Sequence, residues 1–324
     1  MTKKRAKKQI NSLLTALEFI SCAQAARGSM EQQYCRLFNQ WAVASNSIVT
    51  AAHLIQEEIQ VCPHTKALCA ALAQSGQPVL TLNNNLLTVR ADVFEANIAT
   101  IALDKLPVMF ADSPDHVIGS RLLESLEIAG SIISSTGEKV INSTVQMLPN
   151  ATVLATNGRI AMLVFHGFQT PHMIIPKEFV TALSRGRRYT PYRAGWSAES
   201  LTIWYEQGAW IKGQLWPQDT PLPDLGWVSE AASAEAAWRA IPDDFFESVD
   251  RLKKTSQSGV VFIDDDSIRT ESAKISVDNS MGNAIGFEMK DILALNKIAT
   301  HLAFKDGYAL FKGDYLVGAI AYAI

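Results

Sequence analysis

Hydrophobic positions along the chain follow two alternating periods. Six segments carry apolar residues at a 3.6-residue spacing, which is the pattern of amphipathic helices. Short apolar or alternating runs bounded by Gly, Asn, Asp and Pro separate them and are typical of strands joined by tight turns. The predicted order is one helix followed by a small antiparallel sheet, six times over. The helices are predicted at residues 10–26, 63–74, 116–133, 176–185, 242–254 and 287–298.

Two of the strand runs repeat each other. The run WAVASNSIVTAAHL starts at Trp41, and VLATNGRIAMLVFHG starts at Val153; aligned on the first residue of the turn, Asn46 and Asn157, they lie 111 residues apart. Asn157-Gly158 is a strong two-residue hairpin signal, because both central residues must tolerate positive φ. A degenerate third copy is expected at 260–269, where three aspartates replace the turn residues.

This repeat, taken with the helix order, predicts the domain organisation. The predicted fold class is α+β, with three tandem domains that each pack two helices on two antiparallel sheets. The predicted boundaries are residues 1–113, 114–219 and 220–324.

Composition indicates a folded globular protein without a membrane partner. Hydrophobic residues make up 48%, charged residues 19%, and the net charge is −3. The apolar runs fall short of the roughly 20 residues that a membrane helix needs, and no signal-peptide core follows the basic N-terminus. Four cysteines are sparse for 324 residues, which favours a reduced, cytoplasmic protein.

Candidate chemical sites are weak. Cys62, His64 and Cys69 have a suggestive spacing, but no second Cys/His pair lies nearby, so buried thiols are favoured over zinc. The aspartates 264–266 lack the calcium-loop pattern and read as a solvated turn. The sequence contains no P-loop, G-x-S-x-G or G-x-G-x-x-G motif. We therefore expect no cofactor, no metal and no enzymatic activity, although a catalytic triad scattered along the chain would leave no motif.

The three-copy organisation resembles the bacterial beta clamp of the DNA sliding clamp family, the ring-shaped polymerase processivity factors. Residues 155–161, Ala-Thr-Asn-Gly-Arg-Ile-Ala, are similar to the family's Ala-Thr-Asp-Gly-His-Arg-Leu-Ala turn. Residues 223–228, Pro-Asp-Leu-Gly-Trp-Val, are similar to its Pro-Asp-Tyr-Arg-Arg-Val linker, and the chain ends on an apolar strand as the family does. The resemblance covers about residues 10–324.

The chain departs from the family pattern at the positions that carry the resemblance. Asn157 stands for the family's Asp, Arg159-Ile160 for its His-Arg, and Gly226-Trp227 for its two linker arginines. The chain is also shorter than a usual bacterial clamp. These changes indicate a divergent clamp, encoded by a bacteriophage or mobile element and acting in a bacterial or phage-infected cell.

The resemblance implies a topological function. Two chains would close head to tail into a homodimeric ring around double-stranded DNA, without reading its sequence, and would tether a DNA polymerase and a clamp loader through short peptide motifs. Domain one of one chain would meet domain three of the other. The sheet edges near residues 94–101 and 262–276 are the candidates for that contact.

In this family the helices line the pore, where cationic side chains attract phosphates without sequence information. The competing interpretation is that basic residues near helix ends are solvated. The residues expected to face DNA are Lys7, Lys8, Lys66, Arg121, Lys177, Arg185, Arg187, Arg188, Arg251, Lys253, Lys254, Lys290 and Lys297.

The resemblance also implies a partner-peptide pocket between domains two and three. Such anchors need an apolar slot with a polar rim. The competing interpretation is ordinary interdomain packing. The implied pocket residues are Met147, Thr156, Gly158, Arg159, Ile160, Pro223, Trp227, Val228, Gly318, Ile320, Ala321 and Tyr322.

Two other functions remain open. The first is an enzyme or ligand-binding protein built from duplicated α+β units, which should carry convergent titratable groups in its cleft rather than an apolar groove. The second is a clamp mimic that does not encircle DNA.

Overall fold

The computed structural model describes residues 12–24, 29–106, 109–134, 139–220, 225–233, 236–264, 266–277 and 285–323. Seven α-helices lie within these ranges: α1 Ser12–Ile20, α2 Thr65–Gln74, α3 Ser120–Ile132, α4 Lys177–Gly186, α5 Gly226–Ser233, α6 Phe245–Lys253 and α7 Met289–Ala294. Strands β1 to β12 are Arg36–Phe38, Trp41–Ser45, Val49–Leu54, Cys62–Pro63, Val79–Asn83, Leu86–Ala91, Phe94–Ile101, His116–Val117, Thr144–Leu148, Thr152–Thr156, Ile160–Phe165 and Met173–Pro176. Strands β13 to β23 are Pro191–Trp196, Ser200–Tyr205, Trp210–Gln214, Arg239–Ala240, Val260–Ile263, Ser267–Arg269, Lys274–Ser276, Ile285–Glu288, His301–Phe304, Tyr308–Gly313 and Leu316–Ala321.

The described residues confirm the predicted α+β class, with antiparallel strand pairing in every sheet. The chain separates into two compact units. The first unit comprises Met1–Leu123 and Glu178–Trp216, and the second comprises Glu124–Lys177 and Pro217–Ile324. The predicted boundaries of three sequential domains stay a prediction.

The first unit contains two sheets. The seven-stranded sheet has the order β1-β2-β3-β15-β14-β13-β8, and the four-stranded sheet has the order β4-β7-β6-β5. Helix α1 buries one apolar stripe, Leu13, Leu17 and Ile20, and contacts β2, β3 and α2. Burial of such a stripe stabilises a nine-residue helix that would be marginal alone.

Residues 109–115, which we term the strap, lie against the seven-stranded sheet. The Asp112 carboxylate accepts hydrogen bonds from Thr202 Oγ1 (2.8 Å) and Ser200 Oγ (3.0 Å), and pairs with Lys212 Nζ at 3.1 Å. Asp112 and Lys212 side chains are each only 13% exposed. Trp204 Nε1 donates to the Asp112 carbonyl at 3.0 Å. The charged pair is thus well satisfied, as a nearly buried pair must be to be tolerated.

The second unit also contains two sheets. Its eight-stranded sheet has the order β12-β9-β10-β11-β23-β22-β21-β16, and its four-stranded sheet has the order β19-β18-β17-β20. Helix α5 covers one face of the larger sheet through the fully buried Val228, against Leu154, Leu163 and Leu310. Helix α6 packs on α7 and on strands β18 and β19.

Several hairpins among the described residues close with the same backbone bond, in which the N–H of the first turn residue donates to the carbonyl three residues on. The three hairpins that the sequence analysis singled out are among them, with bonds from Asn46 to Val49, Asn157 to Ile160 and Asp264 to Ser267 at 2.9–3.1 Å. The side-chain oxygens of Asn46 and Asn157 each also accept two backbone N–H groups two and three residues on. A hairpin, β17–β18, is present where the sequence predicted the degenerate third copy. There the Asp264 carboxylate accepts a hydrogen bond from Arg269 Nε at 2.8 Å.

Helix extents differ from the predictions at several ends. His116 and Val117 form strand β8, so the third helix begins at Ser120. Pro63 belongs to strand β4, and His64 caps α2 by accepting the Ala67 N–H at 3.2 Å. Phe287, the predicted first residue of the sixth helix, lies in strand β20, so that helix begins at Met289. Helix α5 was not predicted; its first three residues, Gly226 to Val228, belong to the segment that resembles the family's linker.

Within the described residues, no group of three or more His, Cys, Asp or Glu is placed to hold a metal ion. Three of the cysteines are buried, Cys69 is half-buried, and no disulfide forms between them. Burial raises the pKa of the Cys35 thiol to about 12, so that thiol stays protonated. No helix in the described part of the chain is long and apolar enough to span a membrane.

Close passage of the strap over β13 depends on Gly195. A Cβ at this position would lie 1.9 Å from the Ser113 carbonyl oxygen, so Gly195→Ala forces the backbone apart. We expect a loss of about 1–3 kcal/mol, a fall in the unfolding midpoint of several degrees. Gly76→Ala is the matched control, since nothing lies within 4 Å of its Cβ. Equal thermal melts for the two variants would show that the strap does not constrain β13.

The turn between α6 and β17 predicts a pH dependence. The Glu271 carboxylate accepts the backbone N–H groups of Gln257 and Ser258, and these bonds lower its pKa from 4.5 to about 2. Because the folded-state pKa is depressed, the stabilisation is full above pH 4.5 and is lost as pH falls toward 2. Thermal melts should therefore show a steeper decline in midpoint between pH 5 and 3 for the wild type than for Glu271→Gln. Parallel declines would contradict this assignment.

Candidate functional site

The second unit holds an open cavity of about 370 Å³ beside the β10–β11 hairpin. A cavity of this volume lies within the range of small-ligand and peptide-anchor sites. Its lining comes from the hairpin, the 3₁₀ turn Val140–Ser143 and the residue before it, the start of α5, and strands β22 and β23. The lining residues are Lys139, Ile141, Asn142, Thr156, Gly158, Arg159, Ile160, Ala161, Leu225, Trp227, Tyr308, Ala319 and Ala321.

The hairpin presents a rigid edge to this cavity. Thr156 Oγ1 donates to the Ile160 carbonyl at 2.7 Å and accepts the Gly158 N–H at 3.0 Å. Asn157 Oδ1 accepts the N–H groups of Arg159 and Ile160 at 2.9 and 2.7 Å. Gly158 has φ +89°, a conformation that L side chains rarely adopt, and an added Cβ would meet the Asn142 amide at 3.5 Å. The turn is therefore specified by its own residues.

The floor of the cavity is made of small residues on adjacent strands. Ala161 on β11 pairs with Ala319 on β23, and Ala321 follows on the same face. Side chains alternate between the two faces of a strand. The opposite face of β23 therefore carries Gly318 and Ile320, and a Cβ on Gly318 would strike the Phe311 ring at 2.1 Å.

Aromatic side chains form one wall. Trp227, at the start of α5, is 41% exposed. Its ring meets Tyr308 edge to face, with centroids 5.4 Å apart. Exposed Trp next to Tyr over a floor of small residues leaves a slot that an apolar side chain can fill.

Arg159 connects the hairpin to α7 and to the C-terminal segment. Its Nε lies 2.8 Å from Asp291 Oδ2, its second guanidinium nitrogen 3.9 Å from Glu288, and its third donates to the Tyr322 carbonyl at 3.4 Å. The Asp291 side chain is only 5% exposed, whereas that of Arg159 is 35% exposed. Removal of the arginine would leave a nearly buried carboxylate without its partner.

Of the residues implied by the sequence, six line the cavity: Thr156, Gly158, Arg159, Ile160, Trp227 and Ala321. Pro223 lies outside the described residues. Five others do not line it: Met147, Val228, Gly318, Ile320 and Tyr322.

The physical reasons differ among these five. Gly318 and Ile320 point to the other face of β23. Met147 is fully buried on β9, between Val153 and Met173 of the flanking strands. Val228 points from α5 into the core. The Tyr322 ring packs edge to face on Phe287, and its hydroxyl donates to the Lys305 carbonyl at 2.6 Å.

Sequence reasoning missed seven lining residues: Lys139, Ile141, Asn142, Ala161, Leu225, Tyr308 and Ala319. Ala161 and Leu225 lie within the two motifs that pointed to this region, so the motifs could have supplied them. The other five residues lie outside both motifs, and no sequence pattern connects them with the hairpin.

Ten of the predicted DNA-facing residues have exposed side chains: Lys66, Arg121, Arg185, Arg187, Arg188, Arg251, Lys253, Lys254, Lys290 and Lys297. Lys177 is half-buried, because its ammonium donates to the Ile133 carbonyl at the end of α3. Lys7 and Lys8 lie outside the described residues. Ion pairs join Arg188 to Glu18, Arg251 to Glu247 and Lys290 to Glu288. Exposed pairs of this kind contribute little stability, so these cations stay available to other anions.

Comparison with solved structures identifies the fold. The chain matches a Helicobacter pylori beta clamp bound to a DNA ligase peptide, with TM-score 0.74 and 14% identity, over 97% of this chain and 98% of that one. It matches the DNA polymerase III subunit beta of Pseudomonas aeruginosa with TM-score 0.77 and 14% identity, over 96% and 97%. A DNA polymerase sliding clamp from Caulobacter crescentus gives TM-score 0.76 and 16% identity, over 96% and 97%.

These matches define the class of the fold, that of the bacterial beta sliding clamp, over nearly the whole length of the chain. At 14–16% identity the sequence is far from these structures. No protein-family model matches the chain, and no curated protein matches it.

The Arg159–Asp291 pair generates a stability prediction. Arg159→Ala should destabilise the protein by about 1–3 kcal/mol, because Asp291 is left buried and unpaired. The same change in an Asp291→Ala background should cost markedly less, which a double-mutant cycle in urea would measure. Arg251→Ala is the control, since its pair with Glu247 is about two-thirds exposed on both sides. Additive effects of the two substitutions would rule out the coupling.

Proposed function

We propose that this protein is a DNA sliding clamp, a ring that encircles double-stranded DNA and tethers a DNA polymerase and other replication proteins. The observation that carries the proposal is the beta-clamp fold over 96–97% of the chain, with an apolar cavity at the hairpin and linker motifs. A clamp performs no covalent chemistry. Its function requires ring closure, loose attraction for phosphates and a docking site for partner peptides.

Ring closure would come from two copies meeting head to tail. In the first unit, β4 pairs with only the last two residues of β7, so Phe94–Ala99 has β6 on one side and no described strand on the other. In the second unit, β19 is an edge strand that pairs only with β18 among described strands. Open edges are templates for pairing with another chain. A β7–β19 contact repeated twice would close a ring of two chains.

The DNA-binding surface would be provided by the exposed cations on and beside α2, α3, α4, α6 and α7. Phosphate contacts carry no sequence information and allow sliding. The net charge of −3 does not oppose this role, because only the helical surface needs to be basic.

The cavity would be the docking site for polymerase and loader peptides. The H. pylori clamp was solved with a DNA ligase peptide, which is a partner of the same kind. The walls of the cavity in this chain favour peptide docking over catalysis. Lys139 and Arg159 are the ionisable residues besides Tyr308 on the described lining, and no carboxylate or imidazole joins them. An apolar groove of this type is the feature expected of a clamp rather than of an enzyme. We propose that the protein acts in the cytoplasm.

Retention on DNA circles tests the proposal. We expect a solution mass twice 35.5 kDa. We also expect the protein to stay bound to nicked circular plasmid during gel filtration and to be released when the plasmid is linearised. The Lys253→Glu/Lys254→Glu variant should load several-fold less, because two phosphate-attracting cations become repulsive. Lys105→Glu, at an exposed lysine outside these helices, serves as the control. A dimer that binds linear and circular DNA equally, or neither, would indicate a mimic instead.

A further inference from the structure

The internal joints of the chain predict how a joint between two copies is built, an inference that rests on the proposed function and deepens it. Each described helix except α5 is followed by three strands that pair in sequence. Two such groups meet through their third strands in each large sheet, β3 with β15 in the first unit and β11 with β23 in the second. The groups that follow α6 and α2 form most of the two small sheets, and their third strands are β19 and β7. By the same rule, β19 of one copy meets β7 of another.

The turn before β19 matches the turns before β3 and β11. Asn46 and Asn157 each donate their backbone N–H to the carbonyl three residues on, and their side-chain oxygens accept the N–H groups two and three residues on. Thr270 makes the same three bonds, with its N–H donating at 2.8 Å and its Oγ1 accepting at 3.3 and 3.1 Å. Ala273, the last residue of this turn, therefore corresponds to Ile160, the last residue of the turn before β11.

The position of β7 is fixed by comparison with β23. Two residues join β6 to β7 and β22 to β23, so Phe94 corresponds to Leu316 as the first residue after the turn. A contact at the far end of each strand agrees with this alignment. Ile101 pairs with the residue three positions before α2, and Ala323, at the equivalent position, donates its N–H to the residue three positions before α7. The two strands can thus be aligned residue by residue.

The register of the joint follows from these two alignments. In the second unit, Ile160 pairs with Ile320, four residues beyond Leu316, and successive residues of β11 pair backwards along β23. The same register between two copies gives five pairs. From the segment around β19 to the partner's β7, these pairs are Ala273 with Ile98, Lys274 with Asn97, Ile275 with Ala96, Ser276 with Glu95 and Val277 with Phe94.

This register brings together side chains of like character. Residues that are buried or half-buried in the single chain fall on one face of the joint, and residues with exposed side chains fall on the other. The first set is Phe94, Ala96, Ile98, Ala273, Ile275 and Val277, and the second is Glu95, Asn97, Lys274 and Ser276. A shift by one residue would set the exposed polar row of one strand against the apolar row of the other.

The exposed row contains a pair of opposite charges that spans the joint. Glu95 and the partner's Lys274 are diagonal neighbours, a spacing that long side chains can bridge. In the single chain, Glu95 pairs with Arg90 at 2.6 Å, and Lys274 pairs with Asp266 at 3.6 Å. The joint would therefore link two exposed pairs into one row of alternating charges, an arrangement in which surface ion pairs gain strength.

We propose that β19 pairs with β7 of the partner subunit in this register, and that the ion pair between Glu95 and the partner's Lys274 is the specificity-determining contact of ring closure. The partner is a second copy of this chain, because one chain carries both halves of the contact. Both charges are exposed, so added salt should weaken the dimer.

Charge reversal with a complementary partner tests the ion pair. Glu95→Lys or Lys274→Glu alone should raise the dissociation constant of the dimer about ten-fold, because both joints of the ring become repulsive. The Glu95→Lys/Lys274→Glu double variant should recover the wild-type constant. A mixture of the two single variants should form heterodimers in preference to homodimers, because both joints of the mixed ring then bring opposite charges together. Sedimentation equilibrium and native mass spectrometry measure these quantities.

Glu199→Lys is the matched control, since it reverses an exposed glutamate of the first unit outside both strands. This variant should dimerise as the wild type does. Single variants that dimerise as tightly as the wild type, or a mixture without preference for the heterodimer, would overturn the role of the ion pair.

Disulfide trapping tests the register without altering either charge. Directly opposite residues bring their Cβ atoms within reach of a disulfide. Ala96→Cys/Ile275→Cys should form a covalent dimer under mild oxidation, whereas Ala96→Cys/Ala273→Cys, displaced by two residues, should form much less. The wild type gives the background, because its own cysteines are buried or half-buried. A covalent dimer in the displaced variant alone would overturn the register.

Failure of this joint and failure of the clamp proposal have different signatures. A wild-type chain that dimerises and stays on circular DNA, but is insensitive to both charge reversals and is trapped by neither cysteine pair, would retain the clamp and reject only this joint. A wild type that remains monomeric and leaves circular DNA as readily as linear DNA would reject both.

Discussion

The pairing of β11 with β23 is the contact on which the candidate site depends. It aligns Ile160 with Ile320 and Ala161 with Ala319, and so joins the central hairpin to the C-terminal hairpin in one eight-stranded sheet. The register decides which side chains share a face, and a shift by one residue would exchange the faces. The alanine floor, the wall formed by Tyr308 and the position of Arg159 beside the C-terminal segment all follow from this single alignment.

Each unit must cover an apolar sheet face with a connecting segment, and the two units do so differently. In the first unit, the strap is held down by Asp112 and its partners, and Ala111 packs against the cluster of Val43, Ala52 and Trp210. In the second, α5 inserts Val228 and leaves Trp227 partly exposed beside a cavity. The strap is fixed by a nearly buried ion pair, whereas the short helix α5 buries only part of its surface and has a cavity beside it.

Charge balance distinguishes the two cations that line the cavity of the second unit. Arg159 lines the cavity, yet its guanidinium is bound by Asp291, Glu288 and a carbonyl, so its main effect is to connect the hairpin with α7. A buried carboxylate such as Asp291 requires a partner of this kind, because desolvation of an unpaired charge is costly. Lys139 makes no comparable ion pair with a described residue. The identity of a cation on a cavity wall therefore says less about its role than the groups already bound to it.

The sequence by itself determined the local features. Asn46 and Asn157 lie 111 residues apart and build the same turn, because each side chain accepts backbone N–H groups two and three residues on. Apolar spacing likewise located six of the helices, while their ends and α5 depended on neighbours. The resemblance carried by the hairpin and linker motifs was sufficient to anticipate the fold.

Only the tertiary structure decided which residues share the cavity. On β23, the choice between Gly318 and Ile320 on one face and Ala319 and Ala321 on the other depends on a strand that lies about 160 residues away in the sequence. Lys139, Asn142 and Tyr308 carry no local pattern that connects them with the hairpin, and they meet it because the sheet brings them together. Local turns are encoded by short-range hydrogen bonds, but the composition of a site is decided by long-range register and by the packing around it.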